Sequence, residues 1–132
     1  MLFVLATDSV STSAVVCSYL RDRLRADDEV HAVNSKEGGG ATAADEMRAG
    51  EDALEAVVDE LGDDVTVETH QYVRGNEPAE DVLAHAEKVD ADELVMGIRK
   101  RNPTSKIVFG SVAQDLLLES NLPMRVVPRE SV

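Results

Sequence analysis

Leu94-Val95-Met96-Gly97-Ile98-Arg99-Lys100-Arg101-Asn102-Pro103-Thr104-Ser105-Lys106-Ile107-Val108-Phe109-Gly110-Ser111-Val112-Ala113 changes character twice. Leu94–Met96 is an unbroken apolar run, the pattern of a strand buried on both faces, and Gly97 marks its end. Arg99–Phe109 reads as a loop. Gly110 or Ser111 then opens a helix carrying Val112, Leu116 and Leu117. From Leu94 to Gln114 no Asp or Glu occurs, whereas roughly four would be expected at the chain's average acid content, and Arg99, Lys100, Arg101 and Lys106 cluster there. A strand, a basic loop and a Gly-Ser helix start form half of a βαβ unit with an anion-binding character. Helix N-termini present backbone N–H groups and the positive end of the helix dipole, and glycine allows close backbone approach.

The flanking sequence repeats the alternation. Leu2–Ala6 is a second continuously apolar run, followed by the polar turn Thr7-Asp8-Ser9. Ser11–Arg25 reads as a helix with Cys17, Leu20 and Leu24 on one face. Glu29–Val33 is a short strand, and Gly38-Gly39-Gly40 a loop. Thr42–Leu61 is the longest helical pattern: Thr42 and Asp45 resemble a capping box, Met47, Leu54, Val58 and Leu61 line one face, and Gly62 supplies the stop. Val65–Val73 alternates, with Val65, Val67 and Val73 opposite Glu68, His70 and Tyr72, as expected at a sheet edge. Pro78 suits the first turn of a third helix, whose stripe is Val82, Leu83, Ala86 and Val89. Met124–Val127 is the last strand. The order β-α-β-α-β-α-β-α-β predicts an α/β fold in one domain spanning 1–132. Its expected form is a doubly wound five-stranded parallel sheet, order 3-2-1-4-5, with helices on both faces.

The composition narrows the function. Twenty-six acids oppose 13 bases, for a net charge of −13, and the aromatic share is 3% with no Trp. The core must therefore be aliphatic. A surface rich in Asp and Glu with only four Lys resembles that of a halophile's protein. The acid excess argues against nucleic acid or anionic membrane as a partner. The N-terminal run lacks a basic n-region, and no apolar run approaches the roughly 20 residues that span a bilayer, so the expected location is cytoplasmic. Cys17, the one cysteine, lies in an apolar run and reads as a buried structural thiol.

In an open α/β sheet, ligands bind beyond the carboxyl ends of the strands where the strand order reverses. That places Thr7-Asp8-Ser9 and the segment from Gly97 onward at a binding crevice. Here Met96-Gly97-Ile98-Arg99-Lys100 … Phe109-Gly110-Ser111-Val112-Ala113 resembles the ATP-binding signature of the universal stress protein family, G-x-x-G, nine residues, then G-[S/T]. Gly97 stands at the first glycine, and Gly110-Ser111 follow at the required spacing. Leu122-Pro123-Met124-Arg125-Val126-Val127-Pro128 is similar to the family's "cPVlVV" last strand. Val4-Leu5-Ala6-Thr7-Asp8-Ser9 is similar to "vaVDgS", and Asp90–Gly97 to "gaDlIVmG". The resemblance is to haloarchaeal-type members. It implies an ATP-binding regulatory domain of the stress response, with at most slow ATP hydrolysis and with Mg²⁺ as an optional companion of the nucleotide. Asp8 would lie near the adenosine and Val33 against adenine. Gly97, Arg99, Lys100, Gly110, Ser111 and Val112 would surround the phosphates, and Met96 would also belong to the nucleotide site. It also implies a homodimer through Met124–Val127, an apolar strand at the expected edge. The alternative is a dimeric interaction module of the same fold that binds no nucleotide.

Position 100 departs from the signature: Lys100 stands at the second glycine. Its ammonium either reaches a phosphate, replacing backbone contacts with charge, or its side chain blocks the loop. The positive surroundings favour the first. Ser111 either bonds a phosphate or caps its helix. Other chemistries lack their residues. There is no G-x-x-x-x-G-K-[S/T] and no G-x-G-x-x-G. The third strand ends Tyr72-Val73-Arg74-Gly75 without the aspartate of a phospho-acceptor receiver. Ser9, Ser11 and Ser13 near Asp8 have no histidine beside them. His31, His70 and His85 show no metal-ligand spacing, so surface or satisfied histidines and no metal site are expected.

Overall fold

The computed structural model describes residues 1–36, 44–73, 77–100 and 111–130; for Lys36, Arg99, Lys100, Ser111, Arg129 and Glu130 it describes the backbone. The elements run β1 (Leu2–Ala6), α1 (Val10–Arg21), β2 (Glu29–Lys36), α2 (Ala44–Leu61), β3 (Thr66–Val73), α3 (Pro78–Lys88), β4 (Glu93–Lys100), α4 (Ser111–Glu119) and β5 (Met124–Glu130). All strand pairs are parallel, in the order β3-β2-β1-β4-β5, as the alternation predicts. Strand side chains alternate between faces, so the sheet separates two aliphatic clusters. Phe3, Leu5, Val30, Ala32, Val95 and Val127 pack with Val16, Cys17 and Leu20 of α1 and Leu54, Val57 and Leu61 of α2. Val4, Val33, Leu94, Met96 and Ile98 pack with Ala79, Val82 and Ala86 of α3 and Leu116 of α4. Each large aliphatic side chain removed from water in this way contributes about 1.5–3 kcal/mol.

Several boundaries differ from the sequence expectation, for local reasons. α1 stops at Arg21 rather than Arg25. Asp28 accepts from the backbone N of Arg25 at 2.8 Å and donates its own N–H to Arg25 O at 3.0 Å, a turn that competes with further helix. β2 runs to Lys36 and β4 to Lys100, beyond the expected Val33 and Gly97, because β3 and β5 continue to pair with them. On α2 the buried valine is Val57, fully enclosed, while Val58 is 41% exposed. The core stripe is Gly50, Ala53, Leu54, Val57 and Leu61, rotated from the stripe read through Val58. α3 begins at Pro78, as expected, and ends where Asp90 adopts φ 56° and the Ala91 N–H reaches Ala86 O at 2.9 Å, a Schellman-type stop. The glycine loop 38–40, Thr42, residues 101–109 of the expected loop Arg99–Phe109, and Gly110 lie outside the described residues, while Arg99 and Lys100 belong to β4.

Candidate functional site

The register of the sheet creates a notch. β1 ends at Ala6, paired with Val33 on one side and Met96 on the other. β2 continues for three residues, Asn34–Lys36, paired only with β3; β4 continues for four, Gly97–Lys100, paired only with β5. The turn Thr7-Asp8-Ser9 and the start of α1 therefore lie between two longer strands, at the point where the strand order reverses. A ligand placed there meets the N-terminal end of a 12-residue helix, whose dipole favours an anion.

Hydroxyls and one amide hold this floor rigid. Ser9 caps α1, its Oγ accepting from Thr12 N at 3.2 Å. Thr12 Oγ1 donates to Asp8 Oδ1 at 2.9 Å, fixing the carboxylate of an otherwise exposed residue. Thr7 Oγ1 and Ser13 Oγ lie 2.7 Å apart, and Ser13 donates onward to Ala53 O of α2 at 2.7 Å. Asn34, 1% exposed, donates to Thr7 O at 2.8 Å and accepts from Gln71 at 3.2 Å. Gly50 makes room for this: a Cβ there would stand 2.2 Å from Asn34 Oδ1. The structural parts of Asn34, Thr7 and Ser13 do not emerge from the sequence. Asn34 does carry a signal, a polar residue in phase with Val30 and Ala32 on a buried strand face.

The structure brings part of the expected set to the notch. Asp8 lies in the turn, and Gly97, Arg99 and Lys100 form the projecting end of β4. Val33 and Met96 flank the end of β1, with side chains 0% and 3% exposed in the cluster beneath α3 and α4. Val112 is half-buried against the same cluster on the first turn of α4, next to Ser111. Gly110 is outside the described residues. Gly97 is an interior strand residue rather than a strand end. A Cβ there would come within 3.1 Å of Thr12 Cγ2 and 3.4 Å of Val16 Cγ2, so its bare backbone lets α1 pack on β4.

Two features lie away from the notch. A groove between α2 and β3 is lined by Glu51, Glu55, Asp59, Leu54, Val58, Thr69 and Gln71, whose carboxylates repel phosphate. The histidines, expected to stand apart, converge instead: one ring nitrogen from each of His31, His70 and His85 lies within 4.8 Å of the others. Their separation in sequence hides this. Parallel pairing of β2 with β3 and the seating of α3 over both strands bring them together.

Comparison with known proteins agrees with the geometry. Residues 2–128 match the model of the universal stress protein family. A universal stress protein of Mycolicibacterium smegmatis is 37% identical over 109 residues, covering 82% of each chain. A universal stress protein structure from Archaeoglobus fulgidus superposes with a TM-score of 0.79 at 34% identity, covering 96% of this chain and 98% of that one. Another from the same organism, in complex with dAMP, gives a TM-score of 0.71 at 29% identity, covering 96% and 97%.

Proposed function

Because the chain belongs to the universal stress protein family, we propose that it is a regulatory module of the stress response that holds an adenine nucleotide, ATP in particular, in the notch at the end of β1. The observation that carries the reading is that register: β1 stops at Ala6 while β2 and β4 run past it to Lys36 and Lys100. A relative of 29% identity was solved in complex with dAMP. Asp8 would meet the adenosine, and Val33 and Met96 would support it from below. Gly97, Arg99, Lys100, Gly110, Ser111 and Val112 would face the phosphates. The acid-free Leu94–Gln114 stretch supplies the positive charge such a ligand needs on a chain of net charge −13. Mg²⁺ would offset part of a triphosphate's charge. We expect at most slow hydrolysis, since the candidate general base at the notch, Asp8, is exposed and its carboxylate already accepts from Thr12 Oγ1.

We read the acidic, lysine-poor composition as that of a halophilic cytoplasmic protein; no described helix is long and apolar enough to cross a membrane. β5 is an edge strand, and Met124–Val127 would pair across a two-fold axis in a homodimer. One observation favours the second reading, a dimeric interaction module without nucleotide: packing against α1 already accounts for Gly97. Native mass spectrometry after purification in molar salt separates the two. Nucleotide binding predicts a chain mass raised by one adenine nucleotide, or a melting temperature raised by added ATP. Neither a retained nucleotide nor a melting shift leaves the interaction module. A 14.3 kDa species sedimenting at molar salt would exclude the dimer.

A further inference from the structure

The face of β2 and β3 beneath α3 is polar where the rest of that layer is aliphatic. The register sets His31 across from Glu68, Val33 across from His70 and Ser35 across from Tyr72. α3 adds Asp81, bonded to Ser35 at 2.7 Å, and His85. His31 and His85 are 5% and 2% exposed, and His70 is half-buried. Such burial is costly unless every polar atom is satisfied.

A chain of hydrogen bonds satisfies two of the three rings. Tyr72 Oη lies 2.7 Å from His85 Nδ1, His85 Nε2 lies 3.1 Å from His31 Nδ1, and His31 Nε2 lies 3.0 Å from Glu68 Oε2. With neutral rings, Tyr72 donates to His85, His85 to His31, and His31 to Glu68. His70 Nε2 is left out: it is buried and meets no hydrogen-bond partner among the described residues. Its ring centroid is 4.2 Å from that of His85 and 5.3 Å from that of His31.

We propose that His31, His70 and His85 form a binding site for one borderline-soft divalent transition-metal ion, Zn²⁺ being the representative, on the β2–β3 face beneath α3. Nitrogens bound tetrahedrally to Zn²⁺ at about 2.0–2.1 Å stand about 3.3 Å from one another. His31 Nδ1 and His85 Nε2 are already at 3.1 Å, and one ring nitrogen of each of the three histidines lies within 4.8 Å of the others. Closing the remaining gap takes a movement of at most about 1.5 Å by His70, on the edge strand β3. The far side of two rings is furnished as metal-bound histidines require. His31 Nε2–H donates to Glu68, the carboxylate–histidine–metal arrangement. His85 would carry its proton on Nδ1, donating to Tyr72, and so present Nε2 to the ion. The proton moves within one ring, so none is released.

The charges agree. Glu68, and Glu29 at 3.9 Å from His31 Nε2, offset the ion. Lys88 is the cation, among the described residues, whose charge acts on His70 and His85. Burial first, then the neighbouring histidines, pushes His85 down to about 4, and burial then His31 lowers His70, both in the direction of the neutral ring that binds a metal. Water would take the fourth position, as in other three-ligand zinc sites. An all-nitrogen donor set selects Zn²⁺, Co²⁺, Ni²⁺ or Cu²⁺ over Mg²⁺. The site does not depend on the nucleotide reading.

The test is titration of the chelator-stripped full chain with ZnCl₂, with a chromophoric chelator as competitor and excess Mg²⁺ present. One Zn²⁺ per chain is expected. His70→Ala and His70→Gln should each weaken it at least about tenfold, and Glu68→Gln and Tyr72→Phe by about 10- to 100-fold. Co²⁺ should give the intense visible bands of a low-coordinate nitrogen site, absent from both His70 variants. Circular dichroism establishes that the variants remain folded, and since either His70 substitution alone suffices, loss of fold in one leaves the other to decide. No stoichiometric Zn²⁺ uptake, or uptake that folded His70 variants retain unchanged, overturns the proposal.

Discussion

Lys100, whose backbone ends β4 beside the notch, admits two opposed readings within the proposed nucleotide site. The signature of the family has glycine there, and the backbone of Lys100 continues β4 in register with Glu130. A lysine in that place contributes charge and removes room, and the two effects predict opposite mutant behaviour. A charge-assisted contact to phosphate is worth about 1.5–3 kcal/mol. If the ammonium reaches the phosphates, Lys100→Ala lowers ATP affinity roughly tenfold or more. If the side chain blocks the loop, Lys100→Gly creates or strengthens binding. Isothermal titration of the two variants beside the wild type distinguishes them, and equal, tight binding by all three removes Lys100 from the site. Cys17 is simpler. It is fully enclosed in the α1 cluster, and burial pushes its thiol up to about 11, so it is a packing residue with little thiolate to react.

At the scale of elements, legibility follows how local the determining physics is. Each strand and helix is readable because apolar runs, a Pro78 start and turn residues are written in consecutive positions. Strand ends are not. The extra residues at Asn34–Lys36 and Gly97–Lys100 are strand only because β3 and β5 run beside them. On α2 Leu54 and Leu61 are buried as read from the sequence, but the valine between them is Val57 rather than Val58, since both fit a helical stripe and only contact with the sheet and α1 chooses between them. That choice has an energetic consequence. Val57→Ala empties a site in the closed core and should cost about 1–3 kcal/mol in urea unfolding. Val58→Ala should stay within about 0.5 kcal/mol, because it loses little burial and gains helix propensity. The reverse ranking would mean that α2 is rotated to bury Val58 in place of Val57. The histidine cluster is illegible for the same reason: positions 31, 70 and 85 meet only after the parallel register and the seating of α3 are set.

The whole molecule is two aliphatic layers around a sheet whose central strand is its shortest. That shortness places a polar turn, a helix start and the tips of two longer strands around one opening. The acid-free segment runs on from one of those tips on an otherwise acidic chain. The metal proposal lies on the β2–β3 face beneath α3 and shares β2 with the notch, since His70 pairs with Val33. The two sites draw on different polar groups, so the amides that respond identify which one a ligand occupies. The decisive measurement is amide chemical-shift mapping of the ¹⁵N-labelled chain titrated with ATP at high salt. Nucleotide binding in the notch predicts saturable shifts concentrated at Thr7, Asp8, Ser9, Val10, Asn34 and Gly97. Amides of the α2–β3 groove and of β3 around His70 should remain in place. No saturable shift at millimolar ATP, or shifts centred on the groove or on β3, would contradict it.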